Sequence, residues 1–180
     1  MTEIGIFYGS SSGATKQVAR KIQHYFGGEA ELHDVRKTEV AALADYRLLI
    51  FGSPTYEKGK LQEDWYPFLK ALKQEGVDLT GKTAAVFALG DQKKYEKTFA
   101  DSLVPLAKKL KKRGARLIGA WPIEGYTFKE SAGVKKGRFL GLVIDEDRQA
   151  VLTSERVHAW VAQLKAELAG EAVGAAGSGL

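Results

Sequence analysis

Leu48-Leu49-Ile50-Phe51-Gly52 is an unbroken apolar run of strand length. Such a run marks a strand buried on both faces, since a strand with one wet face alternates apolar and polar residues. Ile4-Gly5-Ile6-Phe7-Tyr8 and Thr83 to Ala88 read the same way, Glu29 to Val35 gives a weaker strand, and Arg116 to Ala120 starts a fifth. Helical periods separate them: Val18, Ile22, Tyr25 and Phe26, then Trp65, Phe68, Leu69 and Leu72, then a long helix after Thr98 that ends at Arg113 before Gly114. Thr38 to Ala44 is expected to be a further short helix. Strands alternating with helices give right-handed crossovers and a parallel sheet covered on both faces. In such a sheet a ligand lies beyond the C-terminal ends of the strands. Three loops leave those ends, residues 9–15, 53–62 and 89–98, and they are expected to lie side by side.

The first of these loops is Gly9-Ser10-Ser11-Ser12-Gly13-Ala14-Thr15, between a strand and a helix start. Free backbone N–H groups at a helix start, together with hydroxyls, make a phosphate cradle. The plain alternative is a tight turn in which Ser12 caps the helix. The dinucleotide fingerprint G-x-G-x-x-G is absent, and Gly13 is followed by Ala14 where a nucleotide P-loop needs lysine. A single terminal phosphate, as in a mononucleotide, suits a cradle without lysine.

Cysteine is absent from the 180 residues, which removes disulfides, thiolate nucleophiles and cysteine-ligated metal sites. No apolar run approaches the length of a membrane span, and the chain enters a strand with no basic-then-apolar leader, so a cytoplasmic location is expected. His24, His33 and His158 have no metal-like spacing, and Trp65, Trp121 and Trp160 read as structural. The net charge is +5. Its basic residues cluster in Lys108-Lys109-Leu110-Lys111-Lys112-Arg113, at Lys93-Lys94 and at Lys135-Lys136. Charge runs are usually solvated helix faces, so neither a nucleic-acid nor a membrane partner is expected. A docking surface for an acidic protein remains open.

After the fifth strand the pattern breaks. Residues 121–138 hold glycines and aromatics without a helical period, and Phe139 to Ile144 is strand-like again, which reads as an insertion splitting the last strand. Asp145-Glu146-Asp147 forms an acidic turn. Ser154 is expected to cap a last helix that buries Val157, Trp160, Val161, Leu164 and Leu168. Residues 1–169 are expected to form one domain, and the Gly/Ala/Ser-rich residues 170–180 a disordered tail.

Read together, the serine loop, Ser53-Pro54-Thr55-Tyr56-Glu57-Lys58-Gly59 and Leu89-Gly90-Asp91-Gln92-Lys93-Lys94-Tyr95-Glu96-Lys97-Thr98-Phe99 closely resemble the flavodoxins. The split strand, with Gly125 to Ser131 and Gly141 to Asp147, resembles their long-chain subgroup. The likeness spans Ile4 to about Leu168. It implies the known flavodoxin-like doubly wound five-stranded parallel sheet of order 2-1-3-4-5, with FMN where the strand order reverses. Ser10, Ser11, Ser12, Gly13, Ala14 and Thr15 would hold the phosphate. Tyr95 would stack on one face of the flavin and Tyr56, where the family often has tryptophan, on the other. Gly90 and Asp91 would meet the pyrimidine edge through their backbone. Pro54, Thr55, Glu57, Lys58, Gly59, Leu89, Thr98 and Phe99 complete the expected contacts, with Asp147 nearby unless it is only part of an acidic turn.

The resemblance also implies a low-potential one-electron carrier, a monomer rather than an enzyme. It would shuttle between a reductase donor and an acceptor enzyme on the semiquinone/hydroquinone couple. The Glu57-Lys58 peptide matches one that turns over on reduction in the family. Flavodoxins are usually acidic, and this chain is basic. A positive charge about 10 Å from the flavin contributes roughly 1–2 kcal/mol at an effective dielectric near 20, so a less negative hydroquinone couple and partners with acidic docking surfaces are expected. An FMN-dependent NAD(P)H quinone or nitro reductase is the alternative. It would need a substrate pocket over the flavin, and the second and third loops look too short and polar to build one.

Overall fold

Residues 3–177 are described by the computed structural model. The expected strands and helices alternate as β1 (Ile4–Tyr8), α1 (Ala14–Tyr25), β2 (Ala30–Asp34), β3 (Leu48–Pro54), α2 (Trp65–Gln74), β4 (Thr83–Leu89), α3 (Leu103–Lys112) and β5 (Arg116–Leu117). The strands pair in parallel in the order β2-β1-β3-β4-β5. Side chains alternate across a sheet, and β3 divides accordingly. Leu49 and Phe51 join the core beneath α2 and α3, whereas Leu48 and Ile50 join the core beneath α1 and the last helix. Both faces are thus buried, which is why the run carries no polar residue.

The expected insertion is present and splits the last strand. After β5 the chain forms β6 (Trp121–Pro122), β7 (Val134–Lys135) and β8 (Arg138–Phe139), a separate antiparallel sheet of order β6-β8-β7. It then returns as β9 (Leu142–Ile144). β5 pairs with Thr83 and Ala84 of β4, and β9 pairs with Phe87, Ala88 and Leu89 of the same strand. Phe139 is anchored among Phe99, Tyr126 and Phe128, which fixes the insertion to the start of α3.

Two local expectations are corrected. The short helix is a 3-10 turn over Val40–Asp45, where only Val40 and Leu43 are buried. The last helix, α4 (Thr153–Gly177), starts before Ser154, whose hydroxyl accepts Lys21 Nζ at 3.1 Å rather than capping. It also runs on through the stretch whose composition predicts disorder. Alanine favours helix, and Glu171 ties this end down through Arg116 Nη2 at 3.1 Å and Thr83 Oγ1 at 3.0 Å. Residues 178–180 of the expected tail lie outside the described residues. Among the described residues no helix is long and apolar enough to cross a membrane.

One polar cluster sits beside β1. The His33 ring stacks on Phe7 at 4.7 Å, its Nε2 meets Tyr46 Oη at 2.5 Å, and that hydroxyl also donates to Glu31. Burial lowers the His33 pKa from 6.5, opposed by the charges of Glu31 and Asp45. The folded state therefore resists protonation that the unfolded chain accepts. His33 contributes its full stability above the unfolded value of 6.5, and the contribution falls as pH drops below that toward the folded pKa. The melting temperature of His33→Gln is expected to fall less than that of the parent between pH 7 and pH 5. Parallel slopes would contradict this.

Candidate functional site

The three loops leaving the C-terminal ends of β1, β3 and β4 meet through named contacts. Gln62 Nε2 donates to Ser11 Oγ at 3.2 Å, joining the second loop to the first. Thr55 N–H donates to Leu89 O at 2.8 Å, and its hydroxyl pairs with that of buried Ser102 at 2.7 Å, joining the second to the third. A Cβ on Gly59 would stand 2.7 Å from Asp101 Cβ, so these loops touch there as well.

In the first loop the N-cap of α1 is Gly13, at φ +93°, a conformation that favours glycine. No side chain caps the helix and its first turn holds no acid. Ser12 is exposed and does not cap. Ser10 Oγ instead accepts the Gly13 N–H at 3.1 Å. Gln17 N–H to Gly13 O, at 3.0 Å, is the first helical bond, so the N–H groups before it have no intrahelical acceptor. Nothing lies within 4 Å of where a Gly13 Cβ would be. An uncapped helix start with no acid, open space and flanking hydroxyls suits a phosphate.

The second loop presents Tyr56, 38% exposed. Beyond it Gly59 N–H returns to Tyr56 O at 2.9 Å, closing a turn over Glu57 and Lys58. Lys58 has φ +61°, a position where a turn ordinarily carries glycine or asparagine. The left-handed conformation costs an L-residue roughly 1–2 kcal/mol, against which glycine's extra freedom in the unfolded chain must be set. Lys58→Gly is expected to stabilise the apoprotein by about 0.5–1 kcal/mol, read as a higher urea midpoint at unchanged slope. A lower midpoint would contradict the strain.

The third loop is held by carboxylates. Asp91 accepts the N–H groups of Lys93 and Lys94 at 3.0 and 2.9 Å, and Arg148 Nε and Nη2 at 3.0 and 3.1 Å. Burial alone would raise its pKa; the Arg148 and backbone bonds outweigh burial and hold it below the usual 3.8. Asp145, immediately after β9, has no exposed surface and accepts Gln92 N–H, Gln92 Nε2, Asp147 N–H and Arg148 N–H. Asp147 is exposed in that turn. Tyr95 is half-buried, with Lys94 Nζ 5.3 Å from its ring centroid.

Of the expected residues, Ser10, Ser11, Ser12, Gly13, Ala14, Pro54, Tyr56, Glu57, Lys58, Gly59, Gly90, Tyr95 and Thr98 keep exposed surface on the joined loops. Thr15, Thr55, Leu89 and Asp91 are buried among the loop bases. Phe99 can offer only its backbone to a ligand. Its ring has no exposed surface and packs 5.4 Å from Phe128 and 5.9 Å from Tyr126, so it braces the loop from within. Sequence reading passed over Gln62, Ser102, Asp145 and Arg148. Only Asp145 carried a signal, an aspartate at a strand end followed by a turn, where such side chains bond nearby N–H groups.

The basic run of α3 lies at the other end of the sheet. Leu79 N–H donates to Arg113 O at 2.7 Å, placing the last turn of α3 beside the start of β4. The seven residues of β4 separate that end from the loops, about 20 Å at ~3.3 Å per residue. That is about two Debye lengths at 0.1 M salt, so the run acts weakly at the loops. A cleft of about 840 Å³ floored by β5 is also remote from the loops.

The Flavodoxin family model matches residues 6–160. A flavodoxin of Picosynechococcus sp. is 44% identical over 167 residues, covering 92% of this chain and 97% of its own. Flavodoxin 1 of Escherichia coli K12 is 41% identical over 170 residues, covering 93% and 96%. Among solved structures, Fusobacterium nucleatum flavodoxin bound to flavin mononucleotide aligns with a TM-score of 0.86 at 28% identity, over 93% of this chain and 99% of that one.

Proposed function

The chain belongs to the flavodoxin family, and from that premise we infer that it is an electron carrier built on non-covalently bound FMN, not an enzyme. The observation that carries the reading is the uncapped, acid-free start of α1, open above Gly13 and joined to two further loops. When bound, FMN supplies the ring that takes up and releases electrons.

The protein's part is to hold that ring and tune its surroundings. The N–H groups at the start of α1 and the hydroxyls of Ser10, Ser12 and Thr15 receive the phosphate. Tyr56 and Tyr95 offer aromatic faces for the ring. The backbone of Gly90 and Asp91 meets its polar edge, and the Arg148 and Asp145 contacts keep that backbone in place. Lys58 and Gly59 are both in the left-handed region, in the turn that contains the Glu57-Lys58 peptide. Residues 1–169 form the FMN-binding unit. Electrons pass at low potential, one at a time, between a donor reductase and an acceptor protein that meet the loop end.

The test is the purified holoprotein. It is expected to be yellow, to release one FMN per chain on acid denaturation, and to pass electrons from a reductase to cytochrome c without consuming NAD(P)H when the reductase is left out. Flavin absent after reconstitution with FMN, or steady NAD(P)H oxidation by the protein alone, would overturn it.

A further inference from the structure

The split of the last strand leaves a cleft of about 840 Å³ along β5, at the pole opposite the loops. Its floor is a sheet edge: β5 has β4 on one side and no strand on the other among the described residues, while just beyond β5 the edge is closed by Glu167 on Gly119 N–H, Trp160 Nε1 on Gly119 O, and Arg138 Nη2 and Gln163 Nε2 on Ala120 O. Arg116 N–H and Ile118 N–H donate to Lys82 O and Ala84 O of the β4 side. Backbone groups alternate in direction along a strand, so Leu117 turns its own N–H and C=O to the open edge. Leu117 and Leu140, both half-buried, add apolar surface to the cleft.

Cations ring this edge. Lys111 comes from the last turn of α3, Arg116 from β5, and Lys135 and Arg138 from the β7–β8 hairpin. The tight turn of that hairpin, Lys136 at φ +53° and Gly137 at φ +77°, holds Lys135 opposite Arg138. Of these four cations only Arg116 has a carboxylate partner among the described residues, Glu171 at 3.1 Å. The other carboxylate of the cleft, Glu167, accepts the Gly119 N–H at 2.8 Å. Among the described residues no carboxylate lies within ion-pair distance of Lys111, Lys135 or Arg138, and Arg138 Nη2 donates instead to Ala120 O at 2.9 Å.

We propose that this cleft docks an extended acidic segment of a partner protein, added as a strand along β5 with its carboxylates on Lys111, Lys135 and Arg138. The open N–H and C=O of Leu117 are matched by another polypeptide backbone. A nucleic-acid or lipid phosphate offers no such pairing. A partner seated here holds the carrier by the pole away from its loops, which stay free for electron exchange and gain a raised local concentration of that partner. The docking does not depend on FMN.

The probe is a fluorescein-labelled twelve-residue peptide of alternating Glu and Val, titrated with holoprotein at low salt and read by anisotropy. Saturable binding is expected. It should be weakened on the order of tenfold or more by the double charge reversal Lys135→Glu with Arg138→Glu, and similarly by Lys111→Glu from another element. Alternate N-methylation of the peptide backbone should abolish it. All three side chains are exposed, so near-ultraviolet circular dichroism and FMN content should match the parent. The proposal is overturned by absence of binding at 1 mM protein, by affinity indifferent to the reversals or to N-methylation, or by tighter binding of a 20-nucleotide single-stranded DNA or of phosphatidylserine vesicles.

Discussion

Ser12→Glu is expected to weaken FMN binding by at least about a hundredfold while leaving riboflavin affinity nearly unchanged. Ser12 is exposed at an α1 start that has no side-chain cap and no acid in its first turn. A glutamate there places a carboxylate against the N–H groups that the phosphate needs. Two unit charges about 5 Å apart repel by roughly 3 kcal/mol at an effective dielectric of 20. The phosphate carries more than one charge, and its donors are also competed for. Riboflavin lacks the phosphate and escapes both effects. The apoprotein should respond in the opposite sense, since an acid at a helix N-terminus stabilises by about 0.3–1 kcal/mol. Quenching of flavin fluorescence gives both affinities and urea unfolding gives the stability. Equal losses for FMN and riboflavin would mean the loop does not hold the phosphate.

Asp145→Ala is expected to cost about 3–5 kcal/mol of stability and to loosen flavin binding together with it. Four donors converge on this buried carboxylate: Gln92 N–H at 3.0 Å, Gln92 Nε2 at 2.8 Å, Asp147 N–H at 3.1 Å and Arg148 N–H at 2.9 Å. Each buried donor left without an acceptor costs roughly 1–3 kcal/mol, offset where water enters. Asp145→Asn keeps one acceptor oxygen for the Asp147 and Arg148 amides but turns an NH2 toward the Gln92 N–H and side-chain amide, so a smaller loss of about 1–3 kcal/mol is expected. Arg148 moves with this turn and holds Asp91, so the third loop loosens along its length. Urea midpoints of the two apoproteins rank the losses. An alanine variant as stable as the asparagine one would show that the four bonds carry little.

The sheet was legible because each central strand is paired on both sides and covered on both faces. Leu48 to Phe51 and Ala84 to Phe87 can hold only apolar residues there, and an apolar run is visible without any partner. The neighbouring loops followed from topology alone. Reading failed where a residue's role depends on partners distant in sequence. Phe99 stands in a polar stretch, where nothing signals a core ring. It is buried because Tyr126, Phe128 and Phe139 fold back over it from the insertion. Arg148 and Gln62 gain their roles from partners 57 and 51 residues away. Lys58 gave no warning of its positive φ, because the turn that demands it is closed by Gly59 bonding back to Tyr56.

The divided last strand also orders the steps by which the chain closes. β5 reaches β4 directly from α3, but β9 pairs with Phe87, Ala88 and Leu89 only after the excursion across residues 118–141 has been gathered in. Closing a loop of that length costs on the order of 3 kcal/mol of chain entropy. Asp145 follows β9 at once, so the anchor of the third loop arrives with that closure. The cofactor site is therefore completed by one of the chain's entropically costly contacts, and flavin binding reinforces a closure that the apoprotein must hold by itself.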